Sequence, residues 1–208
     1  TIYHTLRGIL FASILLSMHI LQWNAQSITA HGDEFKKAVF DASQKPDIIC
    51  IQESWLKEHH KFNLKNYNVV RKDRSKDSDK KGGGGVLTCI RNGLAYRVLD
   101  CESNQLEVLL VEIFQEDKSR VNIVNIYNPG LPIEKDEVSN ILKNLNDNVI
   151  ICGDLNGHNA LWGSKKNDAN GNVIIDIIND FNLVCLNDGS GTQIDRSMGK
   201  MYGLDLTL

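Results

Sequence analysis

The chain has 208 residues, 42% of them hydrophobic and 24% charged, with a formal net charge of −3. That size suits one domain with a real core, and the composition excludes wholesale disorder. The charge balance excludes a general positive field as the grip on nucleic acid, so such a partner would need a local basic patch.

The first apolar run, RGILFASILLSM at 7–18, is shorter than the ~20 residues a membrane span requires. It has the look of a signal-peptide core without a clear small-x-small cleavage site. The chain also starts at Thr1 rather than Met. The reading is a piece of a longer chain or an imperfect gene model. Residues 1–18 form an apolar leader outside the domain, and the domain runs over 19–208. A secretion signal is the alternative, and no stable membrane association is expected.

HILQWN (19–24) reads as a short strand. GDEFKKAVFDASQKP then places Phe35, Val39 and Phe40 at helical spacing, with Asp33 as cap and Pro46 as stop. DIICIQE (47–53) is a continuous apolar strand ending at a carboxylate, so strand, helix and strand form a crossover unit. RKDRSKDSDKK (71–81) is a solvated charge run, and the glycines at 82–85 lead from it into the strand VLTCIR. These glycines lack the Lys-Ser/Thr of a phosphate-binding loop and precede a strand, so they read as a turn needing positive φ. AYRVL (95–99), QLEVLLVEIF (105–114) and RVNIVNIY (120–127) follow at hairpin spacing. A helix is predicted over 132–146 with Pro132 near its start. NVIICGD is the next strand, and 172–181 carries a helical apolar face. LVCLN (183–187) and GLDLTL (203–208) read as strands. The sum is one α/β domain with mixed sheets.

Cys50, Cys89, Cys101, Cys152 and Cys185 include no Cys-x-x-Cys pair, and four lie in apolar runs. Reduced, mostly buried thiols are expected, with a disulfide framework or zinc site as the minor alternative.

Polar groups collect where the strands stop: Asn24, Gln52 and Glu53, Tyr127 and Asn128, Asp154 and Asn156, with Asp205 inside GLDLTL. Each alone reads as well as a cap, a turn residue or sheet packing. Together they describe a crevice beyond strand ends, where residues distant in sequence meet. Carboxylates brought together there would repel, and a divalent cation with hard oxygen ligands would offset that repulsion.

QWN (22–24), IQES (51–54), NIYNP (125–129), GDLN (153–156) and GLDLTL (203–208) occur in this order over nearly the whole chain. In this they resemble the endonuclease/exonuclease/phosphatase superfamily. The segments DR…GGGGV (73–86) and GDLNGHNALWGS look like the endonuclease domain of non-LTR (LINE-type) retrotransposons. The resemblance implies a four-layer α/β sandwich of two mixed sheets flanked by helices, and Mg²⁺- or Mn²⁺-dependent hydrolysis of DNA phosphodiesters. It implies Glu53 as metal ligand and Asn24 as support for metal and phosphate. Tyr127 would contact the scissile phosphate, Asp154 would orient or deprotonate the attacking water, and Asn156 would bind phosphate or developing charge. Asp205 would hold a catalytic histidine in its tautomer. Arg74, Asn128, Asn159 and Trp162 are the candidate substrate contacts, with Arg71, Lys72, Lys76, Lys80 and Lys81 as further phosphate contacts.

The family's histidine lies some tens of residues past the LDLTL segment, and none of the six histidines here stands in for it; His158 reads as a loop residue. The expectation is therefore a piece truncated at its end and weak or inactive alone. The implied partners are DNA and a reverse transcriptase domain in the same parent chain, with the nucleus as location. Two alternatives stand beside this: a phosphatase or phosphodiesterase of the same superfamily acting on inositol lipid, sphingolipid or nucleotide, and an inactive fragment of a decayed element.

Overall fold

The computed structural model describes residues 9–14, 18–74, 83–145, 148–189, 193–194, 201–202 and 204–208. The remaining residues, among them Lys76, Lys80, Lys81 and Gly82, lie outside the described set.

Two five-stranded sheets form the middle of the molecule. The first has β1 (Ile9–Ile14), β2 (Met18–Asn24), β3 (Ile48–Gln52), β4 (Tyr67–Lys72) and β5 (Val86–Arg91), ordered β1-β2-β3-β5-β4. The second has β6 (Ala95–Leu99), β7 (Glu107–Phe114), β8 (Arg120–Tyr127), β9 (Val149–Asp154) and β12 (Asp205–Thr207), ordered β12-β9-β8-β7-β6. A two-stranded ribbon pairs β10 (Gln193–Ile194) with β11 (Met201–Tyr202). Both sheets are mixed, because β2–β3 and β8–β9 run parallel and the other pairs antiparallel.

Three apolar clusters define the layers. Ile20, Ile48, Cys50 and Val86 of the first sheet pack against Val111, Ile113, Ile123 and Cys152 of the second, filling the space between them. On the outer side, α1 (Ile28–Asp41) lays Ile28, Phe35 and Val39 over Leu21, Ile49 and Ile51. Beyond the second sheet, α2 (Lys135–Lys143) and α3 (Ala169–Asp180) cover Val124, Ile126 and Ile151. The four-layer sandwich implied by the sequence is therefore the fold observed. β3 and β9 carry unbroken apolar runs because each is a strand covered on both faces.

The elements differ from the sequence reading in several places, the unpredicted β10–β11 ribbon among them. The apolar stretch assigned to a leader outside the domain supplies β1, which pairs with β2 from Ile9 opposite Trp23 to Ile14 opposite Met18. Pairing satisfies the inward-facing backbone groups of β1 and covers the edge of β2. Helix α1 starts at Ile28 rather than near Asp33. Its first amides are held by tertiary contacts instead of a side-chain cap: Ser27 N–H donates to the Glu53 carbonyl at 3.0 Å and Ile28 N–H to the Ser54 carbonyl at 3.0 Å. Strand β4 lies where no strand was predicted, since its half-buried pattern lacks clean alternation. Residues 183–187 are not a strand. Leu186 N–H does donate to the Thr207 carbonyl at 2.9 Å, but the Asn187 amide then takes over, donating to the Asp205 carbonyl at 2.7 Å and accepting from Thr207 N–H at 3.0 Å.

All five cysteines are free thiols, three of them buried. Among the described residues, no helix is long and apolar enough to cross a membrane.

Candidate active site

Strand register decides what meets at the site. Parallel pairing sets Asn24 beside Gln52 at the ends of β2 and β3, and Tyr127 beside Asp154 at the ends of β8 and β9. Antiparallel pairing sets Asp205, the first residue of β12, beside Asp154. Face-to-face packing of the sheets brings these ends together.

The Asn24 side chain joins the two halves. Its Nδ2 donates to Glu53 Oε1 at 2.9 Å and to Asp154 Oδ2 at 2.8 Å. Two carboxylates separated by a hundred residues of sequence therefore approach to no more than those two bonds laid end to end. Its Oδ1 accepts from Gln26 N–H at 3.2 Å, which fixes the amide orientation. Asp154 Oδ1 accepts from Asn156 N–H at 3.0 Å. Asp154 is 2% exposed, and burial pushes its carboxyl up to about 6, helped by the nearby Glu53 charge and opposed by the two hydrogen bonds. Burial likewise pushes the Tyr127 phenol well above its usual range, with the Glu53 and Asp154 charges adding to the rise and Arg74 opposing it; the phenol also hydrogen-bonds Glu53.

Backbone strain gathers here as well. Of eight non-glycine residues with positive φ among those described, five are Gln26, Ser27, Glu53, Trp55 and Asn156. Such conformations cost free energy and persist where surrounding structure enforces them, as functional sites do. At Glu53 the φ of 50° turns the chain out of β3, so that Gln52 stays in the sandwich while Glu53 faces the mouth.

The glycines before β5 meet the turn expectation, with φ of 71°, 70° and 85° at Gly83, Gly84 and Gly85. A Cβ at Gly84 would lie 2.2 Å from the Arg74 guanidinium carbon, so any larger residue would displace that side chain from its place. Arg74 itself points inward. Its guanidinium pairs with Glu107, which also accepts from Gly85 N–H, and lies 5.9 Å from the centre of the Tyr127 ring. Only 12% of its side chain is exposed. In place of an outward phosphate contact, Arg74 supports Tyr127.

The other predicted substrate contacts are also placed differently. Trp162 is fully buried in the core beneath α3 and donates from Nε1 to the Gly157 carbonyl at 3.1 Å. Its ring fills the gap behind the 153–163 loop, a packing duty that the sequence motif hid. Asn128 is fully buried too; its amide donates to the Leu131 and Leu155 carbonyls and accepts from Leu131 N–H, tying two loops together. Asn159 caps a short 3₁₀ turn by accepting from Leu161 N–H at 3.0 Å. Asn156 Nδ2 donates to the Asn128 carbonyl at 2.7 Å, which fixes this amide beside Asp154. His158 lies in the loop, with Nδ1 3.3 Å from Ser164 Oγ.

Three features escaped sequence reasoning. Trp55 Nε1 donates to Glu53 Oε2 at 3.1 Å. Glu107 reads as an ordinary strand residue until its register opposite Tyr127 is known. Gln52 Nε2 donates to Asn125 Oδ1 at 2.7 Å across the two sheets. The one available signal for this last pair was an amide in the apolar run NIVNIY.

Among the described residues, no group of three or more His, Cys, Asp or Glu side chains forms a ready metal cage. The oxygen donors are the two carboxylates, with Asn24 turning its Nδ2 rather than its oxygen towards them, and one carboxyl is destabilised as an anion by burial and by its neighbour. That chemistry fits a divalent ion of the Mg²⁺ or Mn²⁺ class.

Residues 121–208 match the family described as Endonuclease-reverse transcriptase. The chain is 21% identical over 180 residues to the probable RNA-directed DNA polymerase from transposon X-element of Drosophila melanogaster, a match covering 86% of this chain and 19% of that protein. Among solved structures, the endonuclease domain of TRAS1, a telomere-specific non-LTR retrotransposon, superposes with a TM-score of 0.72 at 21% identity, covering 90% of this chain and 82% of that one. The 3′-5′ exonuclease NExo from Neisseria meningitidis superposes at 0.55 with 14% identity, over 90% and 85% of the two chains. Residues 121–208 thus match the model of the endonuclease-reverse transcriptase family, and the fold is the one seen in these endonuclease and exonuclease structures.

Proposed function

We propose that this chain is the endonuclease domain of a non-LTR retrotransposon polyprotein, nicking target DNA by metal-dependent phosphodiester hydrolysis ahead of a reverse transcriptase in the same parent chain. The observation that carries the reading is the single Asn24 amide bonded to both Glu53 and Asp154. Glu53, with Asp154 adjoining, would hold Mg²⁺ or Mn²⁺, and the bound ion would supply positive charge against the phosphate oxygens.

The protein groups have separable tasks. Asp154 would take the proton of the attacking water; burial raises its carboxyl to about 6 in the metal-free chain, and a cation held beside it would bring that value down. Asn24 and the Asn156 N–H orient that carboxylate, one on each oxygen. Tyr127 stays protonated, and its O–H, bonded to Glu53 in this structure, would turn to a phosphate oxygen when Glu53 is taken up by the metal. Asp205, buried beside Asp154, would orient a catalytic histidine.

Nicking of supercoiled plasmid by the full parent chain, run beside a thermal melt of residues 1–208 with and without Mg²⁺, tests the reading. Mg²⁺-dependent nicking lost in Asp154→Ala, and a Mg²⁺-induced rise in melting temperature lost in Glu53→Gln, are expected. Hydrolysis of phosphoinositides with no nicking would instead favour the lipid phosphatase reading. A chain that shows no cooperative melt by circular dichroism would favour a decayed copy.

A further inference from the structure

We propose that Trp55 is a base-stacking platform at the mouth of the active site, its indole N–H positioning Glu53 while its open ring face takes the nucleobase next to the scissile phosphate. This rests on the nucleic-acid reading above.

The three tryptophans of the chain are used differently. Trp162 is fully buried, and Trp23 stacks on Phe35 with ring centres 4.6 Å apart under α1. Trp55 is 41% exposed. Its neighbours Ser54 and Leu56 fill the buried positions on either side, so the core does not call for an indole between them. Yet Trp55 is held firmly. Its φ is 54°, its N–H donates to the Gly84 carbonyl at 2.9 Å, and its Nε1 donates to Glu53 Oε2 at 3.1 Å. A Cβ on Gly83 would lie 3.2 Å from that Nε1, so the glycine run passes against the polar edge of the ring. One edge is thus fixed while much of the ring remains open to solvent. An indole held in a left-handed backbone conformation beside a reactive carboxylate, with no demand for it from the core, is the observation from which the recognition role is inferred.

The chemistry of the occupant follows. Each base has a π-face, and stacking on an aromatic side chain tolerates any sequence. With a net charge of −3, the chain lacks a general electrostatic grip, so stacking next to the reacting phosphate supplies a hold that charge does not. An inositol headgroup offers no π-face.

The test uses residues 1–208 and a short mixed-sequence single-stranded DNA labelled for fluorescence anisotropy. Trp55→Phe keeps a ring and removes the N–H; Trp55→Leu keeps apolar bulk and removes the ring. Trp55→Phe is expected to bind DNA within about twofold of the parent chain, and Trp55→Leu about tenfold more weakly. Both are expected to lose part of the Mg²⁺-induced rise in melting temperature, because both remove the bond to Glu53. An oligonucleotide with an abasic site opposite the platform is expected to bind the parent chain no better than Trp55→Leu. Equal DNA affinity for Trp55→Leu and the parent chain overturns the platform and leaves the nuclease reading standing. Failure of the unmutated chain to bind DNA at all, or inositol phosphate displacing the labelled DNA from it, overturns both.

Discussion

Gln52 and Glu53 are consecutive residues with opposite duties. Gln52 ends β3 inside the sandwich, is fully buried, and donates to Asn125, whose own amide reaches the Leu87 carbonyl at 2.9 Å and Thr88 Oγ1 at 3.2 Å. That contact is neutral and pins one sheet to the other. Glu53, one strained turn later, is charged, partly exposed, and shares Asn24 with a second carboxylate. Buried neutral amides with partners stabilise and specify a fold. Paired anions cost stability and are kept where chemistry needs them.

The contrast can be broken at either side. The largest effect is expected from Asp154→Ala, which should reduce plasmid nicking by about 10³-fold or more while the protein stays folded. Asn125→Leu should do the reverse. It strands the Gln52 amide and the Leu87 carbonyl between the sheets, so urea denaturation should show a loss of about 3 kcal/mol, with the nicking rate per folded molecule retained. A pH series sharpens the charged side. The Asp154 carboxyl is raised to about 6 by burial and by Glu53, so its contribution to stability is complete below the ordinary carboxylate range and is lost as pH rises through about 6. Without metal, the melting temperature of the parent chain should therefore fall between pH 5 and pH 7.5 relative to Asp154→Asn, and Mg²⁺ should reverse the fall. The smallest effect is far from the site. Glu137 accepts from Ser103 Oγ and from the Asn104 and Gln105 amides, and although burial pushes its carboxyl up, these bonds bring it below the usual range. Its stability is present above that range and lost as pH falls through it. Glu137→Gln should cost about 1 kcal/mol at neutral pH and little in acid.

The sheets and helices were largely legible because β3, β8 and β9 carry long apolar runs, and AYRVL and RVNIVNIY coincide with β6 and β8. The convergence of Glu53 with Asp154 was legible from polar groups collecting at strand ends, and the motif resemblance assigned their roles; no spacing rule alone brings them together. Trp162, Asn128 and Arg74 misled for one reason: a motif marks residues that matter without saying whether they face a substrate or hold up those that do. The start of α1 was hidden because backbone carbonyls at Glu53 and Ser54, remote in sequence, replace its cap.

Strand β1 has a practical corollary. A chain cut at residue 18, where composition suggests a natural boundary, would lose that outer strand and bare the ladder of β2 along a largely apolar segment. Uncovered ladders of this kind recruit another strand, including one from a second molecule. Shortened protein should elute as self-associated species in size-exclusion chromatography, so what looks like dispensable leader acts as a guard against aggregation.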